Sequence, residues 1–119
     1  MTTTSLVRME QQGNVLVVSP LFAFGTFSDA DLRAEWASIE RRLANHAIEH
    51  VTIDLSEVPY FGSTVLEWMV LIWKRIRARG GRLVVCNCSD IGRDILRAAR
   101  FDTLWTICDD RAGAMATLV

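Results

Sequence analysis

The sequence predicts one α/β domain in which a single-layer mixed β-sheet, an N-terminal hairpin followed by parallel strands, packs with about four helices. Two observations carry this. Leu6 to Gln11 and Val15 to Ser19 are short β-type runs around the turn signal Gln12-Gly13-Asn14, which reads as a hairpin. Further on, short apolar or alternating runs are separated by segments with apolar residues at helical spacing; right-handed crossovers make such strands parallel neighbours. A chain of 119 residues has room for one core and no second domain, so residues 1–119 are read as one unit with residues 1–5 frayed.

Pro20 ends the hairpin, and Leu21 to Phe27 follows as a loop whose Phe22, Phe24 and Phe27 rings are expected to cover one end of the core. Ser28 and Asp31 then form a variant capping box, and Leu32, Trp36, Ile39 and Leu43 recur at helical spacing, which places the first helix from about Asp29 to Ala44. Val51, Ile53 and Leu55 alternate with Thr52 and Asp54 as a strand that stops at Ser56-Glu57-Val58-Pro59. A second helix starts near Ser63 and runs to about Arg79, where Gly80-Gly81 is the stop signal. Lys74, Arg75, Arg77 and Arg79 crowd its last turns, where cations complement the carbonyl end of the macrodipole. Leu83 to Val85 is the next strand. Ser89 caps a third helix toward Arg100, Leu104 to Ile107 forms a last short strand, and Asp109 caps a final helix ending near Leu118.

Thirteen Lys and Arg against fourteen Asp and Glu leave a formal charge of −1, so the chain has no overall electrostatic footprint for nucleic acid or an anionic membrane. The first residues lack the basic segment and apolar core of a signal peptide, and charges interrupt the apolar stretch of the second helix before membrane-spanning length. A cytoplasmic protein without membrane insertion is expected. Cys86, Cys88 and Cys108 are an odd set and read as reduced thiols. Cys86 and Cys88, two apart in an apparent strand, would share a face, yet two small buried hydrophobes describe them better than a metal site, and no His stands close in sequence to complete one. His46 and His50 are read as an exposed pair without a ligating role. No cofactor is implied.

Ser63, between a strand and a helix, could serve as an acyl-transfer nucleophile, but the downstream Gly of G-x-S-x-G is missing and both histidines precede it near the first helix. The four Trp do not alternate with basic residues as an RNA-stacking surface would require. A non-enzymatic module is expected. Projected at helical period, Val65, Met69, Ile72, Trp73 and Ile76 form the buried stripe of the second helix, widened by Leu66 and Val70. Leu71 falls on the opposite side with Thr64, Glu67, Lys74 and Arg75, and Trp68 sits at the edge. Gly62, Thr64, Glu67, Trp68, Leu71 and Arg75 are therefore the expected partner-binding surface, with completion of the core as the alternative for Trp68.

The segment from Val51 to Leu66 resembles the STAS domain family of bacterial anti-sigma factor antagonists: an apolar strand, a D-L-S-x-V turn (Asp54 to Val58) and a helix start of the D-S-[ST]-G type at Gly62-Ser63-Thr64-Val65. Gly80-Gly81-Arg82-Leu83-Val84-Val85 is similar to the family's G-G-x-L entry into the next strand, and the likeness extends from the hairpin to the last helix. The resemblance implies a mixed sheet with helices, signal transduction and transcription regulation, and a phosphoacceptor serine at Ser63. It also implies the partners: an anti-sigma factor that is itself a serine kinase, and a phosphatase that resets the switch. The unmodified antagonist sequesters the kinase and sigma factor is released.

Two departures stand in that segment. Gly62 occupies the place of the family's Asp, and Val65 the place of the Gly after the serines; Ser28 stands about where many members carry another acidic residue, with Asp29 following. Three readings stay open at Ser63: phosphoacceptor, a differently regulated contact, or a plain N-cap. The alternative to a switch is a non-phosphorylated STAS scaffold subunit of a larger signalling or lipid/anion-transport assembly.

Overall fold

The computed structural model describes residues 6–21 and 28–118; the Thr2 to Ser5 start and the Phe22, Phe24 and Phe27 rings lie outside the described residues. The hairpin forms as its turn chemistry dictates. β1 (Val7–Gln12) and β2 (Val15–Pro20) pair antiparallel with Gln12 opposite Val15, leaving Gly13-Asn14 as a two-residue loop. Gly13 takes the positive φ of 61° that the first position of a type II′ turn requires.

β2 then pairs parallel with β3 (His50–Asp54), β3 with β4 (Leu83–Cys86) and β4 with β5 (Thr106–Cys108), so the five strands lie in chain order. Between them run α1 (Asp29–Leu43), α2 (Ser63–Ala78) and α3 (Asp90–Ala98), with α4 (Arg111–Leu118) after β5. Strand periodicity divides the core in two. Leu16, Val18, Val51, Ile53, Leu83 and Val85 face α1, α2 and α3 and meet Ile39, Leu43, Met69, Ile72, Ile76 and Leu96. Val15, Val84 and Cys86 point the other way and are covered by Ala114 and Leu118 of α4. The mixed sheet with helices expected from the sequence is the fold observed.

Helix ends follow local chemistry. Ser28 closes a capping box with Asp31 at α1, and the Ser89 hydroxyl accepts from the Gly92 N–H at 2.9 Å at α3. Past α2, Gly80 adopts φ 80°, its N–H bonds the Arg77 carbonyl at 3.0 Å and the Gly81 N–H bonds the Ile76 carbonyl at 2.9 Å, a Schellman motif.

Three boundaries differ from the sequence reading. Arg100 turns into the left-handed region at φ 64° and starts a 3₁₀ turn (Phe101–Thr103), so Leu104 is exposed and β5 begins at Thr106. Asp110, not Asp109, caps α4, accepting from the Gly113 N–H at 2.8 Å, while Asp109 pairs with Arg93 at 3.0 Å. Asn87, at φ 55°, ends β4 before Cys88, so the two cysteines do not share a strand. Cys86 packs under α4 and Cys88 joins the core on the opposite face. Among the described residues no cluster of three metal-ligating side chains occurs, and no helix is long and apolar enough to cross a membrane.

Candidate functional site

Strand β3 delivers its last residue, Asp54, to the end of the sheet from which the loop to α2 departs, and Asp54 fixes that loop. One carboxylate oxygen accepts from the Ser56 N–H at 3.0 Å and from Asn87 Nδ2 at 3.1 Å, and the other accepts from Arg111 Nε at 2.7 Å. Arg111, the first residue of α4, also reaches Glu10 at 3.2 Å and Ser19 at 3.4 Å, so one guanidinium ties α4 to β1, β2 and β3. Burial alone would raise the Asp54 carboxyl; the hydrogen bonds from Arg111, Ser56 and Asn87 outweigh it and hold the group below the usual carboxylate range. Cys86 beside it is pushed up to about 12 by burial, with the Asp54 charge adding to the effect, so its thiol is neutral and inert at neutral pH.

Farther along the loop the Ser89 hydroxyl donates to the Pro59 carbonyl at 2.5 Å, and Phe61 is buried against the start of α3. Gly92 is what admits that ring: a Cβ there would stand 3.0 Å from Phe61 Cε1 and 2.7 Å from Cys88 Sγ. With Pro59 and Phe61 pinned, Tyr60 projects at 64% exposure, and Gly62 and Ser63 lie at the surface.

Gly62, not Ser63, is the N-cap of α2, with φ −111° and ψ −158°, and no side chain caps the helix. Ser63 is the first helical residue, and its hydroxyl makes no hydrogen bond among the described residues. The first turn holds no acidic side chain, so the free N–H groups and the positive end of the dipole are left without a local counter-charge. Of the three readings left open for Ser63, the plain N-cap is thereby removed. Ser63→Ala should then change stability by less than about 0.5 kcal/mol, whereas Ser89→Ala, which removes a true cap, should cost about 1 kcal/mol. Urea titration of both variants checks this; equal losses would restore a capping role to Ser63.

The remaining expected surface residues separate by neighbour. Trp68 is only 9% exposed, part of the core, with its ring centroid 5.8 Å from that of Trp36, so it turns toward α1 and does not present a face. Arg75 is exposed but pairs with Glu40 of α1. Thr64 is half-buried, and Glu67 and Leu71 line a shallow groove together with Ser63, Leu66, Val70, Lys74 and Phe101. The groove therefore runs on the side of α2 away from α1, where Phe101 stacks on Trp105 at 4.7 Å. Lys74 shares the outward side on which the helix projection placed it, but Leu66, Val70 and Phe101 were not legible as groove members, because a helix projection does not say which flank of α2 a neighbour covers.

His46 is exposed in the turn after α1, and His50 opens β3, where its Nδ1 accepts from the Arg82 N–H at 3.0 Å. Both lie at the end of the sheet opposite Ser63, so neither can act as its general base. His50 is held by the backbone and is only partly exposed, which corrects its reading as half of an exposed pair.

Comparison with known proteins adds the following. The family model described as STAS domain matches residues 7–114. An anti-sigma-factor antagonist (STAS) domain protein from Planctomyces limnophilus superposes with a TM-score of 0.78 at 23% identity, over 94% of this chain and 97% of its own. The anti-sigma factor antagonist SpoIIAA in its unphosphorylated form gives 0.74 at 11% identity over 93% and 95%. The Bacillus cell fate determinant SpoIIAA in the phosphorylated form gives 0.70 at 14% identity over 95% and 99%. No curated protein sequence matches the chain significantly.

Proposed function

Because the chain belongs to the STAS domain family, we propose that it is a non-enzymatic regulatory module that binds protein partners in the manner of an anti-sigma factor antagonist, with Ser63 as phosphoacceptor. The partners on this reading are an anti-sigma factor that is also a serine kinase, and a phosphatase. One observation carries the proposal: Ser63 presents an exposed, unbonded hydroxyl at the first position of a helix that has no side-chain cap and no acidic residue in its first turn. A kinase can reach that oxygen without breaking a native contact.

The phosphate, with about 1.5 to 2 negative charges, would face free backbone N–H groups and the positive end of α2, so the fold tolerates it. Gly62 supports this, since it places no carboxylate beside the new dianion. The effect falls on the partner. A surface fitted to a neutral hydroxyl, and built around Tyr60, Gly62, Ser63, Thr64, Glu67 and Leu71, would meet a bulky dianion and lose affinity by repulsion and desolvation.

Capture of the partner from cells on immobilised wild type, Ser63→Ala and Ser63→Asp tests this. Ala should retain the partner, because it is neutral and removes no cap; Asp should weaken capture by about tenfold or more. Capture of a kinase that is indifferent to Ser63→Asp would contradict the switch. The Gly62 departure favours one other reading, a scaffold subunit of a larger signalling or transport assembly, which predicts the same capture by all three proteins and no kinase among the partners.

A further inference from the structure

The outward face of α2 is complementary to itself, and we propose that two copies of this chain associate through it, antiparallel, about an axis between Val70 and Leu71. Ser63, Glu67, Val70, Leu71 and Lys74 line one groove along the helix, with Leu66 and Phe101 on its apolar side. Glu67 and Lys74 make no ion pair or hydrogen bond among the described residues. The other cations of α2 are engaged: Arg75 with Glu40, and Arg77 over the Trp73 ring at 5.0 Å. An opposite pair of uncommitted charges therefore flanks an apolar centre, and that centre lies midway between them.

The spacing selects the occupant. An isologous contact places residue i against residue j of the other copy and j against i. Turning α2 about the point between Val70 and Leu71 brings Glu67 against the partner's Lys74 and Lys74 against the partner's Glu67, with Val70 and Leu71 meeting at the centre. The backbone of α2 is internally hydrogen-bonded, so an extended segment laid along it would find no main-chain partners; a helix brings its own backbone bonds satisfied. In this register Ser63 lies opposite the partner's Ala78, at the end of the contact. A protein that binds at Ser63 would thus compete with the second copy, so self-association would set how much of the Ser63 surface is open.

Sedimentation of the full chain between about 10 μM and 1 mM tests the proposal, since so small a contact belongs to the weak class. The wild type should show a concentration-dependent rise toward dimer. Glu67→Lys and Lys74→Glu, each of which sets like charges opposite one another, should remain monomeric, shifting the dissociation constant by about tenfold or more. An equimolar mixture of these two variants should form a heterodimer, and the double exchange Glu67→Lys/Lys74→Glu should recover the homodimer. A wild type monomeric throughout the range, a dimer indifferent to both single changes, or a mixture that stays monomeric would each overturn the proposal. Both side chains are exposed or at the groove rim without native partners, so the variants should keep the wild-type circular dichroism spectrum.

Discussion

Asp54→Ala is expected to destabilise the domain by about 3 kcal/mol at neutral pH, because it leaves the Arg111 guanidinium without its closest counter-charge. The Asp54 side chain is 4% exposed and that of Arg111 33%, so solvent cannot compensate for the lost pair as it would at an open surface. The loss should be felt in several places at once. Ser56 and Asn87 lose their acceptor, and the first turn of α4 loses its bond to β3. The pH dependence has a definite sign. The folded-state carboxyl lies below its ordinary value, so the group contributes stability above its unfolded pKa of about 3.9 and loses it as the pH falls through the folded value. Urea titrations should show a constant gap between wild type and variant from about pH 7 to 5 that narrows below about pH 4. A gap that stays unchanged at pH 3, or that vanishes at pH 7, would contradict the role given to this pair.

Gly81→Ala should be at least as damaging, about 3 kcal/mol or more. A Cβ at Gly81 would stand 1.8 Å from the Glu49 carbonyl oxygen and 2.7 Å from Ile76 Cγ2. The first atom is backbone, at the entry to β3, and cannot rotate away; the second belongs to a fully buried side chain. The chain between α2 and β4 would have to shift, and with it the Schellman bond to Ile76. Gly80 is a useful contrast. It has open space around the Cβ position and its constraint is the positive φ alone, so Gly80→Ala should cost about 1 kcal/mol. Thermal melts of the two variants check the order: Gly81→Ala as mild as Gly80→Ala would refute the steric reading.

These two sites illustrate what could be read in the sequence. Gly80-Gly81 was legible as a helix stop because the turn chemistry is local, yet only the packed structure separates a glycine needed for its φ from one needed for its missing Cβ. The hairpin, the order of strands and helices, and the Ser28 and Ser89 caps follow from local chemistry and periodicity in the same way. The Asp54–Arg111 pair spans 57 positions and has no local signature; a charge at the end of an otherwise buried strand was the one available hint. Leu104 looked like strand, but Arg100 in the left-handed region diverts the chain first.

At the candidate site, Ser63 at the start of the second helix was recognisable, while its position one residue inside the helix was not, since Gly62 and Ser63 both make acceptable caps. Trp68 lay at the edge of the apolar stripe. Its burial depended on whether α1 would place Trp36 beside it, a tertiary fact that periodicity does not contain.

The central claim is that the Ser63 hydroxyl is the regulated oxygen, and phosphate mapping tests it most directly. The purified full chain, incubated with ATP and cytosol from its own cells and then digested for mass spectrometry, should carry phosphate on Ser63, and the Ser63→Ala variant should carry none. Phosphate confined to other residues, or undiminished in Ser63→Ala, would contradict it.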